Sequence, residues 1–265
     1  MKQFILVTTL LLASLKTLAY NPFWIQKDKK LISTLTKINK NNSQDIEQYF
    51  KSQLNKTSLK KENLGFGWTM SRPGIGGGYI AISAEFFYYH DSLVCYSLTP
   101  ELPEERGLKK RYKKWYGEYF YYSNSEIQTF RFNIEAILRP LKEYTGNLTN
   151  ISPKLLNYMS PNSGTTYGYA GSMGILENRK AFFEIQDSLN YDNHFLLMFS
   201  INPASRLTAI EYYLKREFNI GDQKMLNSWI EQNYKEIPNV EIGGCYSYLI
   251  ETRSLVYMLS RKTDK

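Results

Sequence analysis

Histidine and cysteine are nearly absent. The 265 residues hold two of each: His90 and His194, Cys95 and Cys245. A metal centre draws three or four His, Cys or carboxylate ligands from short, recurrent spacings. No such pattern occurs, so no metal site is expected. Two cysteines are also too few for a disulfide framework. A P-loop is lacking: in "SRPGIGGGYIAIS", residues 71–83, no Lys-Ser/Thr follows the glycines, and a strand pattern comes after them where a helix should. The same order is wrong for a dinucleotide fingerprint. The glycines read as a turn tolerant of positive φ, with an anion-binding loop using Arg72 as the alternative. No cofactor is expected. Beyond residue 19, no apolar run approaches the roughly 18 residues of a membrane-spanning helix.

The first nineteen residues differ from the rest. Lys2 is followed by the uncharged, mostly apolar run Phe4–Leu15 and by Thr17-Leu18-Ala19, with small residues where a signal peptidase cuts. This pattern predicts a cleaved secretory signal ending near Ala19, and an exported chain, periplasmic or secreted. The net charge is +8, and the chain stays basic without Lys2 and Lys16. Outside the cytoplasm nucleic acid is not an expected partner. An acidic glycan, an anionic lipid or another envelope component is. An oxidising compartment also permits a Cys95–Cys245 disulfide. Closing a loop of about 150 residues, it would add on the order of 4 kcal/mol. The sequence does not show that the two meet.

Periodicity predicts two helices over 27–60, with Leu31, Leu35 and Ile38 on one face and Ile46, Phe50 and Leu54 on the next, Ser43 capping the second. Alternation from Tyr79 to Tyr89 predicts a strand, and Leu93–Thr99 its partner across a three-residue turn at His90-Asp91-Ser92. That register puts Cys95 on the more polar face, with Glu85 and Ser97. A helix follows from Pro103 to a stop at Gly117, then a strand at 118–122 and a longer helix over about 126–144 carrying Phe130 inward. Residues 146–177 are rich in Gly, Ser, Thr and Asn, and a soft domain boundary is placed near 150. Beyond it the chain reads as mostly helical. "INPASRLTAIEYYLKREF" has Asn202 as N-cap, Pro203 at the first position, and a stripe of Leu207, Ile210, Leu214 and Phe218. Asp222 caps a further helix. This pair resembles one helical hairpin of HEAT-type repeats, over about 202–235, with Pro, Arg and a small residue at similar spacing. The resemblance implies a helical packing unit and a binding surface, without chemistry. No second copy follows at a fixed period.

Two stretches are candidates for function. "AGSMG", Ala170–Gly174, is a loose variant of the nucleophile elbow. Ser172 would be the nucleophile, His194 the base, and Asp187 or Asp192 the orienting acid. Only about twenty residues separate Ser172 from His194, too few for the strands and helices that the hydrolase fold places between them. The second is the helix after Pro103. Arg106, Lys109, Lys110 and Lys113 lie along one face, suited to anionic lipid or an acidic polymer. Tyr167 and Tyr169, within the Gly/Ser/Tyr-rich segment 160–174, add aromatic rings suited to stacking on sugars. His90-Asp91 matches a dipeptide of metal-dependent phosphohydrolases but lacks their further histidines, and a turn accounts for it.

The expected fold is α+β: a small antiparallel sheet with helices in the first half, and a mostly helical second half. The expected function is an exported, non-catalytic protein that binds or scaffolds something at the cell envelope. The alternative is an exported serine hydrolase using Ser172 and His194.

Overall fold

Leu31 and Leu35, and again Ile46 and Phe50, recur one helical turn apart, and helices form at both places. The computed structural model describes residues 21–41, 45–101, 105–117, 130–132, 138, 142, 151–168, 170–171, 174–189, 196–215, 228, 232, 240–243, 248–250 and 254. In chain order come α1 (Pro22–Asn41), α2 (Asp45–Gln53), β1 (Glu62–Gly65), β2 (Trp68–Ser71), β3 (Gly74–Gly76), β4 (Ala81–Tyr89), β5 (Ser92–Glu101) and α3 (Arg106–Tyr116). Then follow β6 (Phe130–Phe132), α4 (Pro153–Met159), β7 (Thr166–Tyr167), β8 (Ala170–Gly171), β9 (Gly174–Ile175), α5 (Glu177–Phe183), α6 (Pro203–Lys215), β10 (Val240–Ile242) and β11 (Tyr248–Ile250). The fold is α+β, with a small antiparallel sheet in the first half and, among the described residues, a mostly helical second half.

Two compact units interleave along the chain. One gathers Met1–Ser58, Pro73–Ala84 and Leu98–Thr129, the other Leu59–Arg72, Glu85–Ser97 and Phe130–Lys265. The composition shift after residue 145 suggests a single cut near 150. The two units do not follow the chain in order, since β4 and β5 each contribute residues to both.

The first unit packs α1, α2 and α3 with β3, which pairs antiparallel with the start of β4 through Ile75 and Ile82. Ile32, Leu35, Ile46 and Phe50 fill its interior. Helix α1 starts earlier than its apolar spacing indicates, at Pro22, and Asn21 caps it by accepting the Phe23 N–H at 3.1 Å. Gly117 ends α3 as expected, at φ 57°, its N–H donating to Lys113 O.

In the second unit β1 and β2 form a hairpin, and β2 pairs with Phe86–Tyr89 of β4. The β4–β5 turn has two residues, not three. His90 and Asp91 take φ of 43° and 66°, the left-handed pair that matches the twist of a tight hairpin. The Phe86 and Tyr96 rings lie 6.2 Å apart by centroid, and Ser97 Oγ donates to Glu85 at 3.3 Å. Cys95 is not on a polar face: it is buried in the core with Phe87, Tyr89 and Leu197. The expected helix over 126–144 is overturned at its start. Phe130–Phe132 is strand β6, paired antiparallel with Cys95–Ser97. The Phe-Arg-Phe triplet alternates, and backbone pairing to β5 outweighs the helical spacing around it.

Helix α6 lies at the centre of this unit. Leu207 and Ile210 are fully buried, worth about 1.5–3 kcal/mol each. The polar Ser205, Arg206 and Thr208 are buried as well, so over Pro203–Glu211 α6 is covered on every side and is not a surface helix with one apolar stripe. Arg206 is held by carbonyls, donating to Ser200 O, Leu64 O and Ile201 O, and its guanidinium stacks over Phe66 at 4.9 Å. Leu214 lies where side chains are not described. Ser43, Phe218, residues 118–122 and the second helix of the HEAT-like hairpin lie outside the described residues.

Candidate functional site

The glycine-rich stretch does hold an anion, and the anion belongs to the chain itself. Asp28 of α1 is fully buried, and its Oδ2 accepts the Tyr79 N–H at 2.8 Å, the Ile80 N–H at 3.3 Å and the Tyr116 hydroxyl at 2.5 Å. Its Oδ1 has no hydrogen-bond partner among the described residues and lies against Gly77, where an added Cβ would stand 2.7 Å away. An added Cβ on Gly78 would stand 2.5 Å from Trp24 Cβ. None of Gly74, Gly76, Gly77 and Gly78 has a left-handed φ. At Gly77 and Gly78 the requirement is close approach to α1, not the turn geometry expected from sequence. Arg72 is committed to its own unit, paired with Glu85 at 3.1 Å and Glu62 at 3.5 Å.

This latch seats α3. Tyr116 donates to Asp28, and Tyr112 donates to Tyr79 O at 3.0 Å. Burial, then the neighbouring Asp28 carboxylate, raises the pKa of both hydroxyls above the ordinary tyrosine value. With its aromatic side pinned, α3 turns Arg106, Lys109, Lys110, Arg111, Lys113 and Lys114 to solvent. Among the described residues, none of Arg106, Lys109, Lys110, Arg111 and Lys114 joins an ion pair. The four cations singled out from sequence, Arg106, Lys109, Lys110 and Lys113, are all exposed.

Sequence reasoning missed the apolar part of the same unit. Phe23 and Trp24, at the start of α1, are 58% and 43% exposed. Lys27 Nζ sits 4.7 Å over the Phe23 ring. Trp24 meets Tyr79 at 5.2 Å, and Tyr79 meets Trp115 of α3 at 5.2 Å, so a ladder of rings leads from α1 to the cationic helix. Only the aromatic pair itself, ahead of the helix read at 27, signals this in the sequence.

The other candidates fare differently. Tyr167 is not a surface ring. It is buried, its hydroxyl donating to Glu211 at 2.8 Å beside the Arg179–Glu211 ion pair at 2.5 Å. Desolvation and then Glu211 raise its pKa. Strand β7 puts it inside by pairing in parallel with β10. Around it Ser163, Asn178, Asn202 and Ser205 bond to one another and to carbonyls, a network that ties α4, α5 and α6 together. Ala170–Gly171 and Gly174–Ile175 pair antiparallel, so a strand stands where an elbow needs a helix. Asp187 is exposed in a short 3-10 turn. Ser172, His194, Asp192 and Tyr169 lie outside the described residues. Cys95 is a free thiol, and burial raises its pKa strongly; Cys245 lies outside the described residues. Among the described residues no three His, Cys, Asp or Glu side chains group as metal ligands, and no helix is long and apolar enough to cross a membrane.

Comparison with protein-family models, with curated proteins and with solved structures finds no match.

Proposed function

We propose that this protein is exported and non-catalytic, and that it binds or scaffolds an acidic component of the cell envelope through the basic face of α3. The carrying observation is the way α3 is mounted. Tyr116 fixes one side to the buried Asp28 carboxylate and Tyr112 fixes it to the Tyr79 carbonyl, while six cationic side chains are exposed. Such a face attracts an anionic partner at moderate ionic strength and loses it as salt rises. The secretory pattern at residues 2–19 supports the envelope as the place of action.

The test is co-sedimentation of the purified exported chain, freed of its secretory segment, with isolated envelopes across a salt series. Lys109→Glu, Lys110→Glu and Lys113→Glu together should lower the bound fraction at least about tenfold, and salt should do the same to the wild type. Retention unchanged by both would defeat the proposal.

A further inference from the structure

We infer that the acidic component is an anionic lipid bilayer, and that Phe23 and Trp24 enter its interface while the cations of α1 and α3 meet the headgroups. This rests on the binding role proposed for α3 and adds the chemistry of the partner. A soluble acidic polymer needs only the cations. It gives no reason for Phe23 to be the most exposed large apolar side chain described, at 58%, or for Leu108 to sit 36% exposed among Arg106, Lys109 and Lys110. Neither side chain has a polar atom to offer a sugar, and both gain from leaving water for the acyl boundary. Trp24, next to Phe23 in the chain, is the side chain that favours the headgroup level, with an apolar ring and one N–H.

The charge distribution agrees. Between Pro22 and Lys37 the sole carboxylate is Asp28, which is fully buried, while Lys27 and Lys30 are exposed. Both helices therefore add only positive charge to the unit's surface, as an anionic leaflet requires. Trp24 is held by packing on both its backbone and its ring. Gly78 packs directly on the Trp24 backbone, and Tyr79 links the Trp24 ring to Trp115. Inserting a preordered wedge costs little further conformational entropy.

The experiment uses the exported chain, freed of its secretory segment, with vesicles of phosphatidylcholine, with and without phosphatidylglycerol, and with dextran sulfate as a soluble polyanion. The wild type should bind the phosphatidylglycerol vesicles at least about tenfold more tightly than the neutral ones. Phe23→Ser should weaken vesicle binding severalfold and leave dextran sulfate binding unchanged. Trp24→Phe, which keeps the packing against Gly78 and Tyr79, should remove most of the fluorescence quenching caused by brominated lipid. Dextran sulfate binding without vesicle binding would overturn the lipid inference and leave the role of α3 standing. Wild-type vesicle affinity in Phe23→Ser, or undiminished quenching in Trp24→Phe, would also overturn it. Binding to neither probe, or charge reversal without effect on both, would remove the two together.

Discussion

Asp28 shows how one side chain sets the position of several others. A carboxylate removed from water is stable only when hydrogen bonds replace its hydration, and bonds to a charged group contribute about 1.5–3 kcal/mol each. Here two backbone N–H groups and the Tyr116 hydroxyl serve. Asp28→Ala should therefore destabilise the protein by about 3 kcal/mol, and Asp28→Asn, which keeps an acceptor oxygen, by about half of that, read from urea unfolding. The neighbouring glycines separate packing from conformational freedom. Gly78→Ala drives a methyl into the Trp24 backbone and should cost about 2 kcal/mol, whereas Gly74→Ala, with nothing within 4 Å of its added Cβ, should stay within about 0.5 kcal/mol. Equal losses at the two positions would mean that the glycines serve the turn and not the approach to α1. The run of glycines is plain in the sequence. The carboxylate it encloses is not, because Asp28 and Tyr116 are 88 residues apart and no local pattern links them.

Among the elements, the Asn202 cap of α6 and the Gly117 stop of α3 were legible, whereas the Asn21 cap of α1 and the strands fixed by distant partners were not. Asn202 caps α6 as its position before Pro203 indicates, accepting the Ala204 N–H at 3.0 Å. Its Nδ2 also donates to Gly164 O at 2.8 Å, Ser163 Oγ at 2.9 Å and Ser160 O at 3.2 Å, which joins the helix start to the turn after α4. Removing the amide leaves those acceptors partnered, since Asn178 Nδ2 reaches Gly164 O at 3.2 Å and Ser163 Oγ reaches Ser160 O at 3.0 Å. Asn202→Ala should accordingly cost about 2 kcal/mol, the cap and one net bond, and Asn202→Ser, which retains a capping oxygen, about 1 kcal/mol by thermal unfolding. By contrast, β6 is three residues long and exists through its pairing with β5, below the window in which periodicity carries information. Tyr167 was misread for a related reason. Its Gly- and Ser-rich surroundings suggest an exposed loop, but β7 takes its place beside β10, more than seventy residues further along. The basic face of α3 was legible as charge at helical spacing. The aromatic ladder beside it needs α1, Tyr79 and Trp115 brought together by folding.

Across the whole molecule, both units bury tyrosine hydroxyls, and this shapes the response to alkali. Tyr116 in one unit and Tyr158 and Tyr167 in the other have their pKa values raised, chiefly by burial, above the ordinary value of 10.0. Cys95 is raised above 9.0 for the same reason. Each group keeps its proton in the folded state at a pH where the unfolded chain has released it. Above the unfolded values the unfolded state binds fewer protons, so stability falls as pH rises. The loss should begin with Cys95 above its ordinary value and steepen past 10.0 as the tyrosines join. A fully buried hydroxyl such as Tyr158 contributes about 1.4 kcal/mol per pH unit. Urea stability measured from about pH 8 to pH 11 should therefore decline with growing slope. Tyr158→Phe should flatten that slope even though the lost bond to Asn178 lowers the starting value, and Cys95→Ala should move the onset upward. The slope, not the stability at neutral pH, is the informative quantity. A flat profile in the wild type would mean that these hydroxyls ionise without unfolding, and hence that water reaches them in the folded protein.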